Sequence, residues 1–158
     1  MNVLLEEYKK FLLLLIKHKV EFMLIGGYAV IYYGYARTTS DMDIWLKPDN
    51  SNKSRFINAL SEYGIIEEDI NLLRSIDFTS TQVFHIGKEP NKIDFLTKVQ
   101  GVTYAAADKE KIYFPLKNQQ IPIIQYHHLI TTKMLSGRGK DKADVDELQN
   151  INKYRNND

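Results

Sequence analysis

The stretch from Leu24 to Leu46 constrains this chain more than any other. An apolar run, Phe22 to Ile25, stops at Gly26-Gly27, and a short helical pattern from Tyr28 to Tyr33 ends near Gly34. Asp41 and Asp43 then flank Met42 at the head of a second apolar run that reaches Leu46. Short apolar runs bounded by glycines and polar turns read as buried strands, so two strands with a brief helix between them are predicted here.

The flanking segments fit around that centre. Leu4, Leu5, Tyr8, Phe11, Leu12, Leu15 and Ile16 recur at three- and four-residue spacing, which predicts a helix over 3–18. Pro48 and a polar loop close the second strand, and Ser51 or Asn52 is expected to cap a helix running to about Tyr63, before Gly64. A short helix is expected over 67–74. Segments 81–86 and 92–97, with a turn at 87–90 between them, read as a hairpin. Shorter β-like pieces lie at 113–116 and 121–124. Two helices are expected over 125–136 and 141–152, separated by Gly137-Arg138-Gly139. The predicted fold is α+β: a small mixed sheet with helices on one face and a C-terminal helical pair. A single domain over 1–153 is expected, with a frayed tail over 154–158.

Composition narrows the function classes. A chain of 158 residues with 44% hydrophobic and 26% charged residues has enough apolar surface to bury a core. Lys plus Arg total 21 against 20 Asp plus Glu, so any basic surface must be local. The absence of cysteine excludes disulfides, thiolate catalysis and cysteine-bound metals. The strongest apolar run, Phe11 to Ile16, is too short to cross a bilayer and lacks the flanks of a signal peptide. A cytoplasmic protein with no membrane partner is expected.

Residues two apart on a strand point the same way, which sets Asp41 and Asp43 on one face about 6–7 Å apart at Cα. Dense oxygen-only ligation suits Mg²⁺ or Mn²⁺ rather than zinc. Asp94, flanked by Ile93 and Phe95 in the later strand, is expected to complete the set and to accept a proton from an attacking hydroxyl. Two ions about 3.5–4 Å apart stabilise the entering and leaving oxygens of a phosphoryl transfer. Glycines between a strand and a helix let phosphates approach backbone N–H groups. Together the parts describe a site for a nucleoside triphosphate (NTP) and its metal ions.

With these residues assembled, the chain resembles the DNA polymerase β-like nucleotidyltransferase superfamily. Leu24-Ile25-Gly26-Gly27-Tyr28-Ala29 is similar to the family's glycine pair, although many members carry Gly-Ser there. Arg37-Thr38-Thr39-Ser40-Asp41-Met42-Asp43-Ile44 is similar to its Arg-Thr-x-x-Asp-x-Asp lead into the strand, and Lys92-Ile93-Asp94-Phe95-Leu96 to the segment with its third acid. Lys133 to Asp144 is similar to the Lys-x-x-x-(Gly)-Arg-x-Lys-Asp-x-x-Asp element of a small bacterial branch. That branch contains abortive-infection toxins and lincosamide and aminoglycoside nucleotidyltransferases. The resemblance implies that Asp41, Asp43 and Asp94 are catalytic and bind metal, and that Gly26, Gly27, Arg37, Thr38 and Ser40 contact the nucleotide. It also implies a nucleotidylated acceptor and pyrophosphate as products.

Lys133, Arg138 and Lys140 are expected to neutralise triphosphate, against the plainer reading of a solvated helix face. Arg37 is a similar candidate whose plainer role is an ion pair with Asp41 or Asp43. Asp141, Asp144 and Asp146 read as pairing and capping groups. Tyr28, Tyr32 and Tyr35 read as a packed helix face and Trp45 as core. His127-His128 invites a zinc reading, but with no carboxylate at ligand spacing on that helix the pair reads as polar residues at a helix start. Three acceptors compete: a small molecule, an RNA 3′ end, or a protein. The oligomeric state is left open, with a partner protein or a second subunit (a homodimer) as candidates to complete the acceptor pocket. The rival reading is a toxin–antitoxin type interaction or nucleotide-binding protein with little catalysis, and a weaker one is an RNA-binding domain, which would need a continuous basic face.

Overall fold

The computed structural model describes residues 3–157. In chain order the elements are α1 (Glu6–Lys17), β1 (Phe22–Ile25), α2 (Gly26–Tyr32), β2 (Asp41–Leu46), α3 (Asn50–Tyr63), α4 (Glu67–Arg74), β3 (Val83–Ile86) and β4 (Lys92–Leu96). They continue with α5 (Tyr104–Glu110), β5 (Ile112–Leu116), β6 (Gln119–Ile123), α6 (Tyr126–Ser136) and α7 (Gly139–Arg155). The strands form one mixed six-stranded sheet in the order β3-β4-β2-β1-β6-β5. β2 runs parallel to β4 and β1 parallel to β6, while the β1–β2, β3–β4 and β5–β6 pairs are antiparallel. None of the described helices is long and apolar enough to cross a membrane.

Alternation along β2 builds the two faces. Met42, Ile44 and Leu46 point one way, with Met42 and Ile44 pairing in register with Ile93 and Phe95 of β4. There Phe95 packs on Phe11 of α1 and Phe56 of α3, with ring centroids 5.7 and 4.9 Å away. Asp41, Asp43 and Trp45 point the other way. That second face is also covered: Trp45 meets Tyr104 of α5 edge-on at 5.3 Å and donates its indole N–H to the Thr97 carbonyl. All four residues of β1 are buried. The expectation of helices on one face is therefore corrected. The missing cover is α5, a seven-residue helix too short to show periodicity, although its cap, Thr103, accepts from the Ala106 N–H.

Other departures are local. The cap of α3 is Asp49, whose carboxylate accepts from the Asn52 N–H at 2.6 Å. Asn52 is fully buried instead, accepting from the Glu21 N–H and donating to the Glu21 and Lys47 carbonyls. It ties the start of β1 to the end of β2, since buried backbone groups must find partners. α2 begins at Gly26 itself, before the predicted Tyr28. α7 starts at Gly139 and stays helical through Arg155, so Tyr154 and Arg155 of the expected tail belong to it; Asp158 lies outside the described residues. Trp45 is core, Tyr28 is buried, and Tyr32 and Tyr35 are partly buried against the core.

Candidate active site

The parallel pairing of β2 with β4 sets Asp43 directly beside Asp94, and Asp41 beside Lys92. Laterally paired residues share a face, so all three carboxylates meet. Their nearest oxygens all lie within 4.8 Å of one another. Lys92, on the same face two residues before Asp94, is the cation among them, with Nζ 3.4 Å from Asp94 and 3.8 Å from Asp41. The period-2 rule that groups Asp41 with Asp43 also reaches Lys92, which sequence reasoning left without a role.

Gly26 sits beneath this cluster because Ile25, at the end of β1, pairs with Asp43. Gly26 has φ +65°, and a Cβ there would fall 2.0 Å from Asp43 Oδ2. A Cβ on Gly27 would fall 2.6 Å from Thr39 Oγ1. Both glycines thus allow close approach of the β2 lead-in, before any ligand is considered.

The electrostatics are those of an under-compensated anionic site. Burial, then Asp41 and Asp94, push Asp43 up to about 6. Burial also raises Asp94, followed by a hydrogen bond and repulsion from Asp41, with Lys92 opposing. Burial raises Tyr8, helped by Tyr28 and then the three acids. The Tyr8 hydroxyl donates to the Lys92 carbonyl at 2.8 Å, with the Pro90 carbonyl at 3.1 Å, steadying the start of β4 from behind. No local sequence signal marks Tyr8 for this task. The donor set fits a hard divalent cation: three carboxylates converge, their mutual repulsion is left largely unrelieved, and no nitrogen or sulfur ligand is among them.

A second layer carries the cations. Arg37 grips Asp144 through two hydrogen bonds, Nε to Oδ1 at 2.8 Å and Nη2 to Oδ2 at 2.9 Å. Lys133 is buried and donates to both Asp141 and Asp144, each at 2.9 Å. Arg138 donates to Asp141 at 2.8 Å, and Ser136 also hydrogen-bonds Asp141. Burial alone would raise Asp141, but Ser136, Lys133 and Arg138 overcome it and hold the carboxyl at about 2. Arg37 therefore pairs with Asp144 rather than with Asp41 or Asp43, and Asp141 and Asp144 are pairing groups as expected.

A cavity of about 130 Å³ is lined by Gly26, Gly27, Arg37, Asp41, Asp43, Asp94, Lys133, Arg138 and Lys140, together with Thr39 and Asp141. Nine of the sequence-predicted residues thus converge. Thr38 and Ser40 do not: both are exposed, and the inward position between them is Thr39, whose hydroxyl donates to the Asp41 carbonyl. An adjoining cavity of about 240 Å³ shares Gly26, Asp43, Lys133 and Arg138, and adds apolar Leu96, Val99 and Leu129 with polar Gln100 and Thr132. Nothing in the sequence pattern separated those lining residues from ordinary surface.

The chain's fold is similar to that of a solved enzyme. The lincosamide antibiotic adenylyltransferase LnuA, crystallised with lincomycin bound, matches with a TM-score of 0.55 over 94% of this chain and 98% of that one, at 19% identity. The chain has the nucleotidyltransferase fold. A nucleotidyltransferase-like protein from Paracoccidioides brasiliensis overlaps more loosely, with a TM-score of 0.49 at 14% identity over 90% of this chain and 72% of that one, and adds nothing to the assignment. No protein-family model and no curated protein sequence matches. Within this fold, the acid cluster lies on the sheet face that Trp45 shares, where β1 turns into α2.

Proposed function

We propose that this protein transfers a nucleoside monophosphate from an NTP to an acceptor hydroxyl, releasing pyrophosphate. The observation that carries the reading is the convergence of Asp41, Asp43 and Asp94 on one sheet face beside Gly26, within reach of one another. The fold shared with an adenylyltransferase supports it.

In this reading Asp41, Asp43 and Asp94 hold Mg²⁺ or Mn²⁺. When bound, such ions neutralise the triphosphate and stabilise the entering and leaving oxygens. Arg138, which meets Asp141 through Nε but keeps its side chain 75% exposed, and Lys140 are the cations with reach for phosphate, since Arg37 and Lys133 are largely buried in their pairs with Asp141 and Asp144. Gly26 and Gly27 flank the phosphates. The nucleoside occupies the adjoining cavity, its base against Leu96, Val99 and Leu129. The acceptor oxygen attacks the α-phosphorus, the bond to pyrophosphate breaks, and the hydroxyl proton passes to Asp94. Its raised pKa suits that role.

The test is transfer of label from each of four α-labelled NTPs, with Mg²⁺, to pools of lincosamides and aminoglycosides, total RNA and proteome. The parent is expected to label one class of acceptor. Asp43→Ala is expected to abolish transfer while its circular dichroism matches the parent. Activity within a few-fold of the parent in that variant, or no labelled product from any pool with folded parent, would overturn the reading and favour a binding role without catalysis.

A further inference from the structure

Away from the acid cluster, the end of α5 meets the start of α6. Glu110 Oε2 lies 3.0 Å from His127 Nε2 and 3.4 Å from His128 Nε2. The three groups each offer a ligand atom, all within 4.8 Å of one another. We propose that Glu110, His127 and His128 form a second cation site, for a late first-row divalent ion of the zinc type.

Three features carry this. The first is spacing. Zn–N and Zn–O bonds of about 2.0–2.2 Å in a tetrahedron put neighbouring ligand atoms about 3.3–3.5 Å apart. The Glu110–His128 distance of 3.4 Å matches that edge and the Glu110–His127 distance of 3.0 Å is slightly short of it. The second is orientation. Adjacent imidazoles, with ring centroids 4.4 Å apart, turn the same nitrogen toward one carboxylate oxygen. His128 is mostly buried, and its Nδ1 is enclosed without a partner, so Nε2 is the nitrogen presented to a ligand. The third is access. The side chains of His127 and Glu110 are 57% and 53% exposed, which leaves an entry path and room for water at the remaining coordination position.

The donor chemistry separates this site from the acid cluster. Two imidazoles and one carboxylate prefer zinc-type ions, whereas three carboxylates suit Mg²⁺. The sequence hides the third ligand because Glu110 lies on a different helix from the histidines. An ion here would clamp α5, which covers Trp45, to the helix that carries Lys133.

The test is Zn²⁺ binding by competition with a chromophoric chelator, in excess Mg²⁺ so that the acid cluster is saturated. One Zn²⁺ per chain is expected. His127→Gln and Glu110→Gln, both at positions more than half exposed, should each weaken binding at least about 10-fold with circular dichroism unchanged. In the parent, Zn²⁺ should shift the imidazole resonances of His127 and His128 while leaving His18 and His85 in place. No Zn²⁺ retained, equal retention by both variants, or shifts confined to His18 or His85 would each overturn the proposal.

Discussion

Burial and two neighbouring carboxylates push Asp43 up to about 6, from 3.8 for the unperturbed group. A native carboxyl that holds its proton longer than the unfolded one weakens the fold as pH rises through that window. The metal-free protein should therefore lose up to about 3 kcal/mol between pH 4 and pH 6 from this residue. Asp141 has the opposite sign: held at about 2, it adds stability above pH 3.8 that is lost as pH falls toward 2. Urea titrations across pH should show the Asp43 loss in the parent and its absence in Asp43→Asn; an unchanged profile in the variant would refute the assignment. Gly26 makes a separate prediction. Its positive φ and the Asp43 oxygen 2.0 Å from any added Cβ make Gly26→Ala destabilising by more than about 1 kcal/mol, read by chemical denaturation.

At the scale of elements, α6 and α7 are joined by buried charge rather than by apolar packing alone. The Asp144 side chain is 1% exposed and holds both Arg37, from the lead-in to β2, and Lys133, from α6. Removing one partner of a buried ion network leaves uncompensated charge and costs about 3–5 kcal/mol. Asp144→Ala is expected to show that loss in denaturant unfolding; a loss below 1 kcal/mol would mean the network is dispensable. Elements with strong periodicity or clear stops were legible: β1 and α4 match their predicted bounds, and the β3–β4 hairpin turns where Gly87 to Pro90 marked it. The cap of α3 was misplaced because Asp49, Ser51 and Asn52 are all capping types, and only tertiary contact shows that Asn52 is consumed by Glu21 and Lys47. α5 was missed because seven residues hold too few turns for a periodic signal and, unlike α2 before Gly34, no glycine stop follows it.

For the molecule as a whole, the decisive fact is a pairing no local pattern could show. Alternation placed Asp41 and Asp43 on one face, but only the parallel β2–β4 register carries Asp94 to them, from a strand distant in sequence. The cations were legible as a cluster and not as a network, because which of Arg37, Lys133 and Arg138 is committed depends on where α7 packs. The same global geometry sets how the fold should respond to metal. With Asp41, Asp43 and Asp94 crowded and Lys92 the one cation within 4 Å of them among the described residues, a divalent ion bound to the native state and not to the unfolded chain stabilises by about 2.7 kcal/mol at a concentration 100 times its Kd. For a chain of this size that raises Tm by roughly 5–10 °C. The cation must displace the proton Asp43 retains below about pH 6, so the shift should shrink as pH falls from 7.5 to 5.5. Thermal unfolding with Mg²⁺ at both pH values measures it directly, with Asp43→Asn as control. A Mg²⁺ shift independent of pH, or one that survives in the variant, would place the ion away from these three acids.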